Sequence, residues 1–369
     1  MLRQAEERIA DREAVACGDD LGGGSSAGGS SRGSGDHMRL TRNVLLVGAL
    51  ALVALVGFSA AAGGSASAGT PGVQRFLWGA WIGKQFTGTE APWSWQAVKD
   101  FEAKNAGGRH MSIVHWGVGT PWDHNFNWWL SPLNRVRNAG RLSLVDAVTG
   151  SVPLRQIANG AYDTAFRTWA IQAKLWGHPF LLRFDFEMNG GWEPWGTRPF
   201  NRSTPADFVA AWRHVHDIFT AAGATNVGWV WCPNTNAPHH KMTSFASLYP
   251  GSAYVDWTCL DGYNFGKPWT SFARIFGSSY RQVMHLAPDK PMLIGEVAST
   301  RHGGNKARWI RSMFHALATG FRNIDGLVWF DKWALDDGHE LDWPIELSRS
   351  ASDAFKRGIG SLLARKSSP

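Results

Sequence analysis

From Arg75 onward the chain alternates short apolar runs with amphipathic ones, and that alternation leaves few architectures open. Candidate strands are Phe76–Ile82, Met111–Trp116, Arg141–Asp146, Pro179–Phe186, Val227–Cys232, Val255–Gly262, Pro291–Glu296 and Ile324–Trp329. Helical patterns separate most of them: Trp93–Asn105, Ala161–Trp176, Pro205–Ala222, Thr270–Leu286 and Asn305–Thr319, with Ser350–Leu363 closing the chain. Thr204 followed by Pro205 reads as a helix start, and Gly223 and Gly320 read as helix stops. Eight strands, each followed by a crossover, in about 300 residues predict an α/β fold, a single-domain (β/α)8 TIM barrel. An open doubly wound sheet is the competing architecture. It expects a Gly-rich phosphate turn after its first strand, which Gly79-Ala80-Trp81-Ile82-Gly83 does not supply. The sequence has no internal repeat and no sign of a second domain.

The N-terminal part reads differently. Residues 1–37 include the Gly/Ser-rich tract Gly22–Gly35, which has nothing to bury, and are expected to lie upstream of the true start. Met38 opens a basic stretch, an apolar run from Val44 to Phe58 follows, and Ala66-Ser67-Ala68 ends it with small residues. That is the layout of a secretory signal over 38–68. It leaves 69–369 as the barrel and places the mature protein outside the cell. An uncleaved membrane anchor over residues 44–62 is the alternative, since that stretch is almost long enough to span. The formal net charge of +7 comes without any Lys/Arg run, so no nucleic-acid partner is expected. Cys232 and Cys259 are the two cysteines beyond the leader, and a disulfide and a pair of buried thiols both remain open. The 21 Trp against 5 Tyr all fall in the barrel region, and about half of them are expected to fill the core.

A barrel carries its chemistry at the C-terminal ends of its strands. There the sequence puts His115 and Trp116 (strand two), Glu187 (strand four), Asn234 (after strand five), Tyr263 and Asn264 (after strand six), Glu296 (strand seven) and Trp329 to Trp333 (strand eight). The fourth-strand run Leu181-Leu182-Arg183-Phe184-Asp185-Phe186-Glu187 delivers a carboxylate to the tip. A loop containing Asn189, Trp192, Glu193 and Trp195 follows at once. Period-two alternation predicts Arg183, Asp185 and Glu187 on one face, with Phe184 and Phe186 on the other. On that reading Arg183 pairs with Asp185 and leaves Glu187 free at the rim. Glu296 follows the apolar run Met292–Ile294 and Gly295; a carboxylate there needs a buried cation or a function. Two strand-tip acids beside flat indoles suit glycosidic-bond cleavage, with one acid protonating the leaving oxygen and the other attacking.

These residues resemble glycoside hydrolase family 26, a (β/α)8 family with its catalytic acids on strands four and seven. The likeness is strongest over Leu181–Gly196 and weaker over Asp256–Asn264 and Pro291–Glu296. It implies Glu187 as acid/base and Glu296 as nucleophile of a retaining endo-glycosidase. It also implies Tyr263 as the hydrogen-bond partner of the nucleophile, and Trp192, Trp195 and either Trp329 or Trp333 as sugar platforms. β-1,4-Mannan is the first substrate it suggests, with mixed-linkage β-glucan, β-xylan and exopolysaccharide as alternatives. One position departs from the family pattern: Phe186 stands where a His precedes the acid/base Glu, and Phe neither donates nor accepts a hydrogen bond.

With His115, Trp116, Asn189 and Asn234 the expected substrate contacts are complete. A polysaccharide is the expected partner of a monomer, without stable membrane association once the leader is cleaved. No cofactor and no metal is expected. His239-His240 lacks a third ligand, and Asp331, Asp336, Asp337 and Asp342 match no calcium loop, leaving contacts to sugar hydroxyls open for them. A carbohydrate-binding barrel without useful catalysis and a transglycosylase on a cell-surface glycan are the rival functions.

Overall fold

A computed structural model describes residues 76–122, 126–198, 203–235, 242–336 and 339–366. Eight parallel strands close into a barrel in chain order. They are β1 (Leu77–Ile82), β2 (Ile113–Val118), β3 (Leu142–Ala147), β4 (Phe180–Phe184), β5 (Val227–Trp231), β6 (Trp257–Asn264), β7 (Met292–Ser299) and β8 (Ile324–Asp331). All eight sequence-predicted strands are present, within a few residues of their expected ends. β8 closes the barrel against β1 through a six-residue register from Leu77↔Gly326 to Ile82↔Asp331.

Alternate residues on each strand face opposite ways and build two separate cores. Ile113, Leu144, Leu181, Val230, Cys232, Cys259, Leu293 and Val328 pack together as the barrel's inner layer. Their strand neighbours, such as Val114, Val145, Leu182, Phe184, Trp231, Ile294 and Trp329, pack outward in the larger cluster shared with the helices. Eleven of the 21 Trp are buried, matching the expected half, so a Trp is as often core as cleft here.

The helix Pro205–Ala222 has the bounds its sequence predicts. Thr204 and Asp207 form a reciprocal capping box, Pro205 opens the first turn, and Gly223 ends the helix in the left-handed region. Three helices, Asn127–Asn138, Leu154–Ala158 and the short Phe245–Leu248, have no counterpart in the sequence reading. The first carries Pro132 inside it, which reads as a breaker; the second is a single turn.

The main departure lies at the end of β4. The strand stops at Phe184, and Asp185 (φ 44°) and Glu187 (φ 51°) both take the left-handed conformation. Simple alternation therefore ends at Phe184, and the pairing of Arg183 with Asp185 predicted from it is not formed. Asp185 instead accepts hydrogen bonds from the backbone N–H of Thr149 at 2.7 Å and from its hydroxyl at 2.9 and 3.1 Å.

Candidate active site

The β4 tip keeps its neighbours' hydrogen bonds while it twists. The Asp185 N–H donates to Ala147 O on one side (3.0 Å), and the Glu187 N–H donates to Cys232 O on the other (2.8 Å). The Glu187 carboxylate is thereby fixed between two donors rather than standing free at the rim. The Asn234 side-chain amide donates to its Oε1 at 2.6 Å, and the Trp192 indole N–H donates to its Oε2. Asn234 is in turn clamped by Asn189, whose amide donates to Asn234 O and whose oxygen accepts from the Asn234 N–H, both at 2.9 Å. Trp195 donates its indole N–H to Phe186 O and sets its ring edge-on to Phe186, 5.4 Å between centroids. Burial, reinforced by the nearby negative charge of Glu296, raises the Glu187 pKa to about 7.

Glu296 reaches the interior by a different device. The β6–β7 register passes from Leu260↔Ile294 directly to Asp261↔Glu296, so Gly295 is an extra residue in a bulge. Without it, Glu296 would share the outward face of Ile294. A Cβ on Gly295 would lie 2.4 Å from Cys259 Sγ, 2.8 Å from an Asp261 oxygen and 2.9 Å from Arg183 Nη1. Only glycine fits there, because the space is filled by the group that holds Glu296.

That group is Arg183, fully buried, with all five N–H bonds used. Its Nε and Nη2 grip the two oxygens of Asp146 at 2.8 and 2.9 Å, Nη1 meets both oxygens of Asp261 at 2.9 Å, and Nη2 also donates to Glu296 Oε1 at 2.5 Å. The Tyr263 hydroxyl donates to the other Glu296 oxygen, and its ring lies parallel to Trp343, 4.6 Å away. Burial pushes the Asp261 carboxyl well above the ordinary range, while Arg183 pulls against it. Burial and then the Glu296 charge raise the Tyr263 hydroxyl, so it stays protonated and donating. One carboxyl thus holds its proton near neutrality while a second is clamped by a guanidinium. This gives two like groups distinct chemical roles.

The structure sorts the remaining candidates. Trp116 and Trp329 are corrections: both are fully buried on the outward face of their strands, away from the barrel interior. Trp116 packs on Trp93 and Trp129, and Trp329 donates to Trp343 O at 3.1 Å. His115 is buried in the barrel, bonded through Nε2 to Asp146 at 2.9 Å with its ring 4.5 Å from Trp81, which makes it a support for Asp146. Asn189 and Trp195 are buried supports of Asn234 and Phe186. Trp333, 46% exposed, follows the β8 tip and presents a large ring face to solvent.

In the last loop, Asp342 accepts from Thr300 and Arg301, and Asp331 accepts from Gln85 and the Ile345 N–H; both fasten loops together. His239, His240 and Asp337 lie outside the described residues, as does the Asp336 side chain.

Sequence reasoning missed Arg183 as the hub, Asp146 and Asp261 as its partners, and Trp81 with Lys332 above it. Gly295 was the one available signal, a glycine inside an apolar strand immediately before an acid. Among the described residues, His115, Asp146 and Glu296 bring ligand-type atoms within 4.8 Å of one another. The cation already bonded to both of those carboxylates is the Arg183 guanidinium. Cys232 and Cys259, open in the sequence, are joined as a disulfide in the inner layer.

A closed parallel (β/α)8 barrel with one carboxyl at the tip of strand four and another on strand seven defines a class, the barrel glycoside hydrolases. This chain belongs to glycosyl hydrolase family 26, whose family model matches residues 142–356. It is 34% identical over 293 residues to Endoglucanase H of Acetivibrio thermocellus, covering 77% of this chain and 30% of that protein. It is 29% identical over 165 residues to mannan endo-1,4-beta-mannosidase A and B of Caldalkalibacillus mannanilyticus, covering 43% of this chain and 29% of that protein. The chain thus spans under a third of the length of these two relatives. The fold matches the catalytic domain of a Bacillus sp. JAMB-750 family 26 endo-beta-1,4-mannanase, with a TM-score of 0.57 and 17% identity over 78% of this chain and 86% of that one. A Cellulomonas fimi endo-beta-1,4-mannanase double mutant gives a TM-score of 0.58 at 16% identity, over 77% and 70% of the two chains.

Proposed function

We propose that the protein is a secreted, retaining endo-glycosidase that cleaves β-linked polysaccharide, with β-1,4-mannan as its leading substrate. The observation that carries this reading is the pairing of Glu187, protonated up to about pH 7, with Glu296 held by Arg183 and Tyr263. Glu187 gives its proton to the glycosidic oxygen as the bond breaks. Glu296 attacks the anomeric carbon and forms a glycosyl-enzyme. Glu187, now ionised, takes a proton from water, and the resulting hydroxide equivalent releases the sugar and restores both groups. Trp192 and Asn234 donate to Glu187 and hold its oxygens in place. The Arg183 and Tyr263 donors orient Glu296 for attack.

Support for the substrate comes from the relatives' names, which include a mannan endo-1,4-beta-mannosidase and an endoglucanase. Support for export comes from the layout of residues 38–68 and from the Cys232–Cys259 disulfide, a bond that persists in oxidising surroundings. Among the described residues no helix is long and apolar enough to cross a membrane. The protein is read as a monomer whose partner is the polysaccharide.

Reducing-end release from β-mannan, glucomannan, mixed-linkage glucan and xylan by the full chain tests the reading, with Glu187→Ala and Glu296→Ala alongside. Release that disappears in both variants is expected. Near-full activity in either variant would show that its carboxylate is not part of the machinery.

A further inference from the structure

Cys232 follows β5 directly, and Cys259 belongs to β6, 27 positions further along the chain. Both are fully buried in the inner layer of the barrel. The backbone oxygen of Cys232 accepts the Glu187 N–H at 2.8 Å, one of the bonds that fix the twisted β4 tip. Its sulfur lies 3.3 Å from Asp261 Oδ1 and 3.7 Å from Arg183 Nη1, inside the group that holds Glu296. The Cys259 sulfur packs on the other support of Glu296. A Cβ on Gly295 would come within 2.4 Å of it, so it sits directly against the bulge that turns Glu296 inward. One covalent bond therefore runs from a residue that fixes the Glu187 backbone to the residue packed against the glycine before Glu296.

A disulfide holds its two sulfurs far closer than unbonded atoms approach. Opening it drives them apart in an interior that is already close-packed. The groups they touch, Asp261, Arg183 and Gly295, have to take up the movement, and so does the Cys232 carbonyl. Each of these leads to Glu187 or Glu296. We propose that the Cys232–Cys259 disulfide is a positioning element for catalysis, setting the spacing of the two carboxyls so that full turnover requires the oxidised protein. The reduced protein keeps its fold and its grip on polysaccharide but turns over slowly. This rests on the glycosidase reading above and adds a redox condition to it.

The redox step balances with a dithiol as reductant. Dithiothreitol closes to its cyclic disulfide, and the Cys232–Cys259 bond takes up the two electrons and two protons released, giving two thiols. The expected size of the effect follows from geometry. A misplacement of about 1 Å at the reacting groups costs up to about 10²-fold in rate. Binding along the rest of the substrate is made elsewhere and is left intact, so the loss falls on kcat rather than on KM.

The test compares full-length native protein made in an oxidising host with the same protein made in a reducing cytosol and kept in dithiothreitol. A Cys232→Ser/Cys259→Ser protein is assayed with and without the reductant. Alkylation in denaturant followed by peptide mass counts free Cys232 and Cys259, near-UV circular dichroism reports the fold, and kcat and KM are measured on the best cleaved of the four polysaccharides. The reduced protein is expected to keep its near-UV signal and a KM within about threefold, with kcat about 10- to 100-fold lower. The serine protein should be as slow and indifferent to dithiothreitol. Native kcat in the reduced protein or in the serine protein overturns the inference while leaving the glycosidase reading standing. So does full activity in protein whose Cys232 and Cys259 are both free. Loss of the near-UV signal together with the rate overturns it too, because the bond is then a staple of the fold and not a positioning element. Release from none of the polysaccharides by the oxidised protein overturns the glycosidase reading and this inference together. If the serine protein fails to fold, the oxidised and reduced native proteins decide.

Discussion

At the scale of single residues, burial does most of the chemical sorting. Glu187 and Asp185 are two positions apart, both inside, and both have a pKa of about 7. For Glu187 the raised value suits the proton transfer the proposed mechanism gives it, because a general acid works best with a pKa near the operating pH. We expect kcat/KM to fall as pH rises through about 7, where free Glu187 loses its proton. Glu187→Gln should lower kcat/KM by about 10²–10⁴ and remove that limb; a stopped assay over pH 5–9 reads both effects.

The Asp185 carboxyl is held by the backbone N–H and hydroxyl of Thr149, so its raised pKa is a matter of stability. Its folded pKa lies above the unfolded value of about 3.9. The stability it contributes is complete below pH 3.9 and declines as pH rises through about 7, by up to roughly 4 kcal/mol. Asp185→Asn mimics the protonated form, so thermal melts of the variant between pH 4 and 8 should show a shallower decline than the native protein. An equal decline would mean Asp185 ionises in the fold without cost.

At the scale of elements, what was legible follows from what strands and helices impose on sequence. Apolar runs of strand length separated by amphipathic stretches revealed all eight strands, and Thr204, Pro205 and Gly223 marked one helix to the residue. The two Glu residues were legible because an acid ending an apolar strand is a local contradiction. Tyr263 was expected beside Glu296, but the Arg183 hub was not. Arg183 reaches across the barrel from β4 to residues on β3, β6 and β7, and no local pattern encodes a contact between positions 183 and 296. Trp116 and Trp329 were misassigned because being near a strand tip does not say which face a residue takes.

The β7 bulge shows the same limit. Period-two reasoning puts Glu296 outward with Ile294, and one inserted glycine reverses it. Gly295→Ala has to displace Arg183, Asp261 or Cys259. It should cost about 1–3 kcal/mol of stability and about tenfold in kcat, because the crowded groups include Arg183, which holds Glu296, and its partner Asp261. Denaturant melts and initial rates on the purified variant measure the two effects separately. Native rates in a Gly295→Ala protein would show that the bulge leaves the nucleophile's position unaffected.

At the scale of the whole molecule, the barrel brings together two carboxyls 109 positions apart in sequence, to which the proposed mechanism assigns opposite tasks. β4 and β5 hold Glu187 through Asn234, while β6 and β7 hold Glu296 through Tyr263 and Arg183. The most direct test of this division of labour is the intact mass of the Glu187→Ala protein during turnover of an aryl β-mannoside with a good leaving group. Such a substrate needs no acid to depart, but the glycosyl-enzyme then lacks the base that activates water. The account predicts a mass increase of one mannosyl unit, mapping to the peptide that contains Glu296. Turnover without a trapped sugar, or a sugar attached at any other residue, would contradict the assignment of Glu296 as nucleophile and Glu187 as acid/base.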